Sequence, residues 1–117
     1  MLDGGAGNDM LFGRSADVLY GVDGNDAFIL GAGAGLQVYG GAGDDWFDVS
    51  STTGNDTIDG GVGTNVVKFE GRAWGDADLQ ETLPGSGIYT LTFTDGQTIQ
   101  VSNVQDLVFT DIERKLP

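Results

Sequence analysis

The chain contains no cysteine and no histidine, and only five lysines and arginines among its 117 residues. Without cysteine, no disulfide staples the fold. Without either residue, zinc, copper and iron lose their preferred sulfur and nitrogen ligands, and no imidazole is available as a general base. No nucleophile motif such as GxSxG occurs, and no stretch approaches the ~20 apolar residues that span a bilayer. The N-terminus also lacks the basic segment and apolar run of a general signal peptide. Scarce positive charge is set against 18 Asp and Glu, giving a net charge of -13. Such a chain repels nucleic acid and anionic lipid, which excludes both as partners. Its natural counterion is a hard cation, and carboxylates, amides and backbone carbonyls suit Ca²⁺.

What the chain has in abundance is glycine, 21 residues in clusters with no three-residue period, so collagen is excluded. The clusters belong to a nine-residue phrase repeated over the first 68 residues. Gly4–Phe12 (GGAGNDMLF), Gly21–Ile29 (GVDGNDAFI), Gly40–Asp48 (GGAGDDWFD) and Gly60–Lys68 (GGVGTNVVK) share one register. Each reads as a glycine-rich turn, an Asp or Asn at the sixth position, and a short strand with an apolar residue at the eighth. Degraded copies lie between them. Gly13–Tyr20 keeps Asp17, Gly31–Tyr39 has Leu36 where the acid belongs, and Ser51–Asp59 keeps Asp56 without the leading glycines. Leu30 and Val49-Ser50 read as small insertions.

Two repeats make one coil, so alternate turns stack on one edge. The strong turns are the first, third, fifth and seventh, with sixth positions Asp9, Asp26, Asp45 and Asn65 spaced by 17, 19 and 20 residues. They are expected to form one ladder, while the opposite edge lacks a carboxylate in its middle. The eighth positions, Leu11, Leu19, Phe28, Val38, Phe47, Ile58 and Val67, alternate with outward neighbours and are expected to be the core. Outward Met10, Phe12, Val18, Tyr20, Ile29, Tyr39, Trp46 and Val66 are apolar too. Either they are scattered exposed strand formers, or part of that face is covered by the C-terminal segment, an upstream domain of the parent protein or another chain.

These repeats resemble the RTX (repeats-in-toxin) nonapeptide family of secreted bacterial proteins. The resemblance implies an all-β fold, a right-handed parallel β-roll with calcium between successive turns of one edge. Glycine turns reach positive φ at low cost and so converge carbonyl oxygens. Two stacked turns then offer about six oxygen ligands including two carboxylates. Carried over from the family, the side-chain ligands are Asp9, Asp26, Asp45 and Asn65. The carbonyl ligands are Gly4, Gly5, Ala6 and Gly7 in the first turn and Gly21, Val22, Asp23 and Gly24 in the second. In the third and fourth turns they are Gly40, Gly41, Ala42 and Gly43, then Gly60, Gly61, Val62 and Gly63. Pairing turns gives about three ions, with the site at Asn65 the weakest because a charge is missing. Asp3, Asp44, Asp48 and Asp59 read as solvated or outer acids. The Asn-Asp pairs are not EF-hand loops, since the alternating ligands and terminal Glu are missing.

The expected division is a roll over residues 2–68 and a β-rich cap over 69–117. Glu70–Gly87 reads as a connection with one helical turn near Asp76–Leu83. Ile88–Phe93 alternates as a strand, Asp95-Gly96 is a hairpin turn, Thr98–Val101 is its partner, and Leu107–Phe109 is the final strand. Leu2-Asp3 reads as the end of an earlier repeat, placing the chain inside a longer array. By resemblance the parent protein leaves a Gram-negative bacterium by type I secretion and folds outside on meeting calcium, although Ile112–Pro117 carries no distinctive secretion signal. No catalytic residues are expected in this chain. Two other readings stay open. One is an adhesion or polysaccharide-binding module using Tyr20, Tyr39 and Trp46. The other is the non-catalytic end of a secreted protease, lipase or alginate-modifying enzyme.

Overall fold

A computed structural model describes residues 1–49, 54–69, 73–81 and 85–116. The insertion at Ser50, the start of the Ser51–Asp59 repeat and part of the Glu70–Gly87 connection lie outside the described residues. Short alternating segments follow each glycine turn and form strands one after another: β1 (Leu2–Asp3), β2 (Met10–Gly13), β3 (Val18–Asp23), β4 (Ala27–Leu30), β5 (Gln37–Ala42), β6 (Trp46–Asp48), β7 (Asp56–Asp59) and β8 (Val66–Phe69). Odd strands pair in parallel in one sheet and even strands in the other. The result is a parallel β-roll in which each coil crosses both sheets.

Equal repeat phase keeps like residues in columns. Leu11, Phe28, Phe47 and Val67 stack in one sheet, and Leu19, Val38 and Ile58 in the other. All seven are buried as expected. Phe28 and Phe47 lie ring on ring, with centroids 4.8 Å apart and planes 7° apart. Each such side chain removed from water contributes ~1.5–3 kcal/mol.

After a 3-10 turn at Trp74–Asp76 come β9 (Ala77–Glu81), β10 (Ile88–Phe93), β11 (Thr98–Ser102), β12 (Asp106–Phe109) and β13 (Glu113–Lys115). The hairpin of β10 and β11 turns at Asp95-Gly96, where the Gly96 N–H donates to the Phe93 carbonyl at 2.9 Å. β11 then lies parallel to β7 and β12 parallel to β8, so these two strands add another coil to the roll. Two expectations are corrected here. Ala77–Glu81 is a strand and not a helical turn, because pairing with β10 outweighs the weak helix preference of its sequence. Leu107–Phe109 is not the final strand, since β13 pairs antiparallel with β12 beyond it.

The two ends differ. At the C-terminal end Phe69, Phe93, Phe109 and Trp74 close the core. At the other end Leu2 stands in the inward column yet is 40% exposed, beside an open hollow of ≈ 390 Å³ lined by Leu2, Asp9, Leu11 and Phe12. Among the described residues, the C-terminal strands extend the sheets edgewise and do not lie across the outer apolar face. Met10 and Phe12 remain 65% and 63% exposed there.

Candidate metal centre

The turns before β2, β4, β6 and β8 stack into the predicted ladder. Their second residues hold left-handed backbone, with φ 81° at Gly5, 94° at Gly41 and 76° at Gly61. Val22 occupies the same place at φ 81°, which a β-branched side chain adopts only under strain. Third-position carbonyls join neighbouring turns: those of Asp23, Ala42 and Val62 accept from the N–H of Gly7, Gly24 and Gly43 at 3.0, 2.9 and 3.1 Å.

The sixth positions form a side-chain ladder. The Asp9 N–H donates to Asp26 Oδ1 at 2.8 Å, the Asp26 N–H to Asp45 Oδ1 at 2.9 Å, and the Asp45 N–H to Asn65 Oδ1 at 2.8 Å. The fifth positions run a second ladder in the opposite sense, with Asn25, Asp44 and Thr64 N–H groups donating to Asn8, Asn25 and Asp44 Oδ1 at 2.8, 2.8 and 2.9 Å. Asp44 is therefore a rung of this outer ladder. Asp3 and Asp59 each accept the N–H of the second turn glycine, from Gly5 and Gly61, both at 3.0 Å.

One oxygen of each ladder carboxylate is left over. Oδ2 of Asp9, Asp26 and Asp45 is buried and accepts no hydrogen bond, and residues Asp26 and Asp45 are 2% and 1% exposed. A buried acceptor without a donor is costly, and a column of them calls for cations. These oxygens fold back under the first glycine of their own turn. A Cβ at Gly21 would meet Asp26 Oδ2 and come within 2.6 Å of the Gly40 carbonyl, and one at Gly40 would meet Asp45 Oδ2 and come within 2.6 Å of the Gly60 carbonyl. Each gap thus sets a carboxylate oxygen beside a carbonyl oxygen of the next turn, a donor set that fits a hard cation. Among the described residues no group of three or more acidic side chains is placed to hold a metal ion by itself, so backbone oxygens must supply much of any coordination shell.

The electrostatics agree. Burial pushes the carboxyls of Asp26 and Asp45 above the ordinary range. The hydrogen bond each accepts from the preceding rung opposes this, and the charges of Asp9 and Asp23 on one, and of Asp26 and Asp44 on the other, reinforce it.

Among the described residues the opposite edge holds no such column. Asp17 caps its own turn, accepting the Arg14 N–H at 2.9 Å, and Leu36 is buried in the core while its N–H donates to Asp56 Oδ1 at 3.0 Å. Sequence reasoning missed a fifth rung on the edge that holds Asp9, Asp26, Asp45 and Asn65. The Asn65 N–H donates to Gln105 Oε1 at 2.6 Å, and the Asn65 side-chain amide to the Asn103 carbonyl at 3.0 Å. That rung has neither glycine nor acid, and the intervening hairpin breaks its spacing. The left-handed φ of 54° at Asn103 is the one turn signal it carries.

The family profile described as RTX calcium-binding nonapeptide repeat (4 copies) matches residues 1–15, 13–36 and 37–51. No curated protein sequence matches the chain. Among solved structures, the crystal structure of extracellular lipase LipA from Serratia marcescens superposes with a TM-score of 0.62 at 22% identity. That match covers 80% of this chain and 14% of the lipase, so the likeness is one of fold and this chain spans a small part of that protein's length. With the profile over residues 1–51, which hold the rungs Asp9, Asp26 and Asp45, this part of the chain carries RTX calcium-binding nonapeptide repeats, and they are wound into a parallel β-roll.

Proposed function

We propose that this chain is a calcium-dependent structural module of a secreted bacterial protein, with a metal-binding roll over residues 2–68 and a cap over 69–117 whose β11 and β12 extend the roll. The observation that carries the reading is the column of buried, donor-free Oδ2 atoms at Asp9, Asp26 and Asp45. Calcium bound there would supply the positive charge that the column lacks. The chain's own residues do the rest. Oδ1 of Asp26 and Asp45 ties each rung to the one before, and the Gly40 and Gly60 carbonyls, from the first residues of their turns, stand beside the same Cβ positions as the free oxygens of Asp26 and Asp45. About three gaps are available on this edge.

Metal-free, the column is self-repelling. Rungs ~4.8 Å apart set neighbouring carboxylates against each other by ~1 kcal/mol in water and ~3–4 kcal/mol at an effective dielectric of 20, against a total stability of ~5–15 kcal/mol for a domain. Binding that favours the folded state then becomes folding free energy. A chain of this kind stays unfolded where calcium is scarce and folds where it is millimolar, which suits export in the unfolded state by type I secretion from a Gram-negative cell. Among the described residues no helix is long and apolar enough to cross a membrane.

The parent's activity lies outside the roll, and a secreted hydrolase such as a lipase is one parent consistent with the shared fold. An adhesive role for the outward aromatics has less support. Tyr20 and Tyr39 stack on each other at 5.1 Å, and the Lys68 ammonium sits 5.6 Å from the Trp46 ring, so one face of each ring is already taken. The test is a calcium titration followed by circular dichroism. β signal that grows with calcium and collapses on chelation supports the proposal, and a spectrum indifferent to both defeats it.

A further inference from the structure

The metal-edge ladder does not end where the acids end. At Asn65 the side chain takes the same pose as Asp26 and Asp45 above it. Its Oδ1 accepts the N–H of the preceding rung, and its second polar atom lies under the first glycine of its turn, within 2.6 Å of a Cβ placed on Gly60. In the rungs above, that second atom is a bare carboxylate oxygen. At Asn65 it is an amide nitrogen, donating to the Asn103 carbonyl at 3.0 Å and to the Gly61 carbonyl at 3.4 Å. The Asn103 carbonyl in turn stands at the Gly60 Cβ position as the Gly40 and Gly60 carbonyls stand at those of Gly21 and Gly40. The amide orientation is fixed from both sides, since flipping it would set NH₂ against the Asp45 N–H and oxygen against the Asn103 carbonyl. Asn65 is fully buried, so no water takes part from outside.

We infer that the Asn65 amide stands in for calcium in the gap between the fourth turn and the Asn103–Gln105 turn, closing the metal ladder with a proton donor so that the C-terminal coil docks without an ion. The inference rests on the calcium reading of the upper gaps. It also moves the consequence of the missing charge. Between the third and fourth turns the free oxygen belongs to Asp45, and Asn65 contributes only the Oδ1 that accepts the Asp45 N–H, so that gap keeps its carboxylate. The gap below it loses its metal altogether. Asn103 and Gln105 are neutral and add no charge to the junction; Asp106, which follows them, has a buried Oδ1 without a hydrogen-bond partner, and its charge is met by the Lys115 ammonium 3.4 Å from Oδ2.

The test counts ions on the full chain by native mass spectrometry and isothermal titration with calcium chloride. Asn65→Asp restores a bare oxygen facing the Asn103 carbonyl and is expected to bind one ion more than wild type. Asp45→Asn places an amide toward the Gly60 carbonyl and is expected to bind one ion fewer, which keeps the inference open to refutation if the first variant does not fold. Wild type that binds calcium beside an Asn65→Asp chain with an unchanged count, or an Asp45→Asn chain with an unchanged count, would overturn the inference alone. Wild type that binds no calcium would overturn the underlying reading and this inference with it.

Discussion

Replacing Asp26 by Asn separates the two roles of a rung. The substituted side chain keeps an oxygen for the Asp9 N–H, which now donates to Asp26 Oδ1 at 2.8 Å. What disappears is a negative charge on a residue 2% exposed, flanked by Asp9 and Asp45 on the neighbouring rungs. At the ~4.8 Å rung spacing each neighbour repels it by ~0.9 kcal/mol in water and ~3.5 kcal/mol at an effective dielectric of 20. Over two neighbours, the metal-free roll should gain roughly 2–7 kcal/mol. Calcium then has less to do. For an affinity of ~0.1–1 mM, 10 mM calcium stabilises the fold by about 1.4–2.7 kcal/mol per ion, and the variant should lose that increment for the ion it no longer holds. Urea melts of both chains, in 10 mM calcium and in chelator, measure the two terms separately. Where wild type is already unfolded in chelator, residual β ellipticity without urea replaces the midpoint. The variant should be the more folded chain in chelator and should gain less from calcium. An Asp26→Asn chain no more folded than wild type in chelator would refute the repulsion argument.

The buried carboxyls also predict a pH response. Because the folded state holds the Asp26 and Asp45 protons more tightly than an ordinary carboxyl at 3.8 does, their stabilisation is complete below 3.8 and is lost as pH rises through the raised values. In chelator, acidification from neutral should therefore restore β ellipticity, whereas in calcium the same acidification should release metal; a pH titration with and without chelator distinguishes the two slopes. Phe47→Ala removes a fully buried ring stacked on Phe28 and should cost about 3–5 kcal/mol in calcium-saturated urea melts. Gly40→Ala puts a methyl group against Asp45 Oδ2 and the Gly60 carbonyl and should weaken calcium binding by calorimetry, while Gly75→Ala, with open space around its Cβ position, should leave it unchanged. Val22→Gly relieves a valine at φ 81° that is 40% exposed and should raise the thermal midpoint in calcium by the equivalent of about 1 kcal/mol.

Most of the roll was legible because its two periods are independent and agree. The nine-residue phase places Asp9, Asp26, Asp45 and Asn65 on one edge, and the two-residue alternation turns Leu11 through Val67 inward; the structure has both. The C-terminal part was legible only where local chemistry decides, as at the Asp95-Gly96 hairpin. Ala77–Glu81 carries no strong strand signal, and Glu113–Lys115 is exposed and charged, so pairing with a neighbour defines each as a strand. The parallel docking of β11 and β12 is written in the coil they meet and not in their own residues. The same holds for the Asn103–Gln105 rung, whose role depends on what Asn65 presents to it.

The most direct measurement is anomalous diffraction from crystals of this chain grown in millimolar calcium. Peaks in the gaps beside Asp9, Asp26 and Asp45 Oδ2, with none between Asn65 and Asn103, are the predicted result. Well-ordered turns with no anomalous density beside those three oxygens would contradict the account.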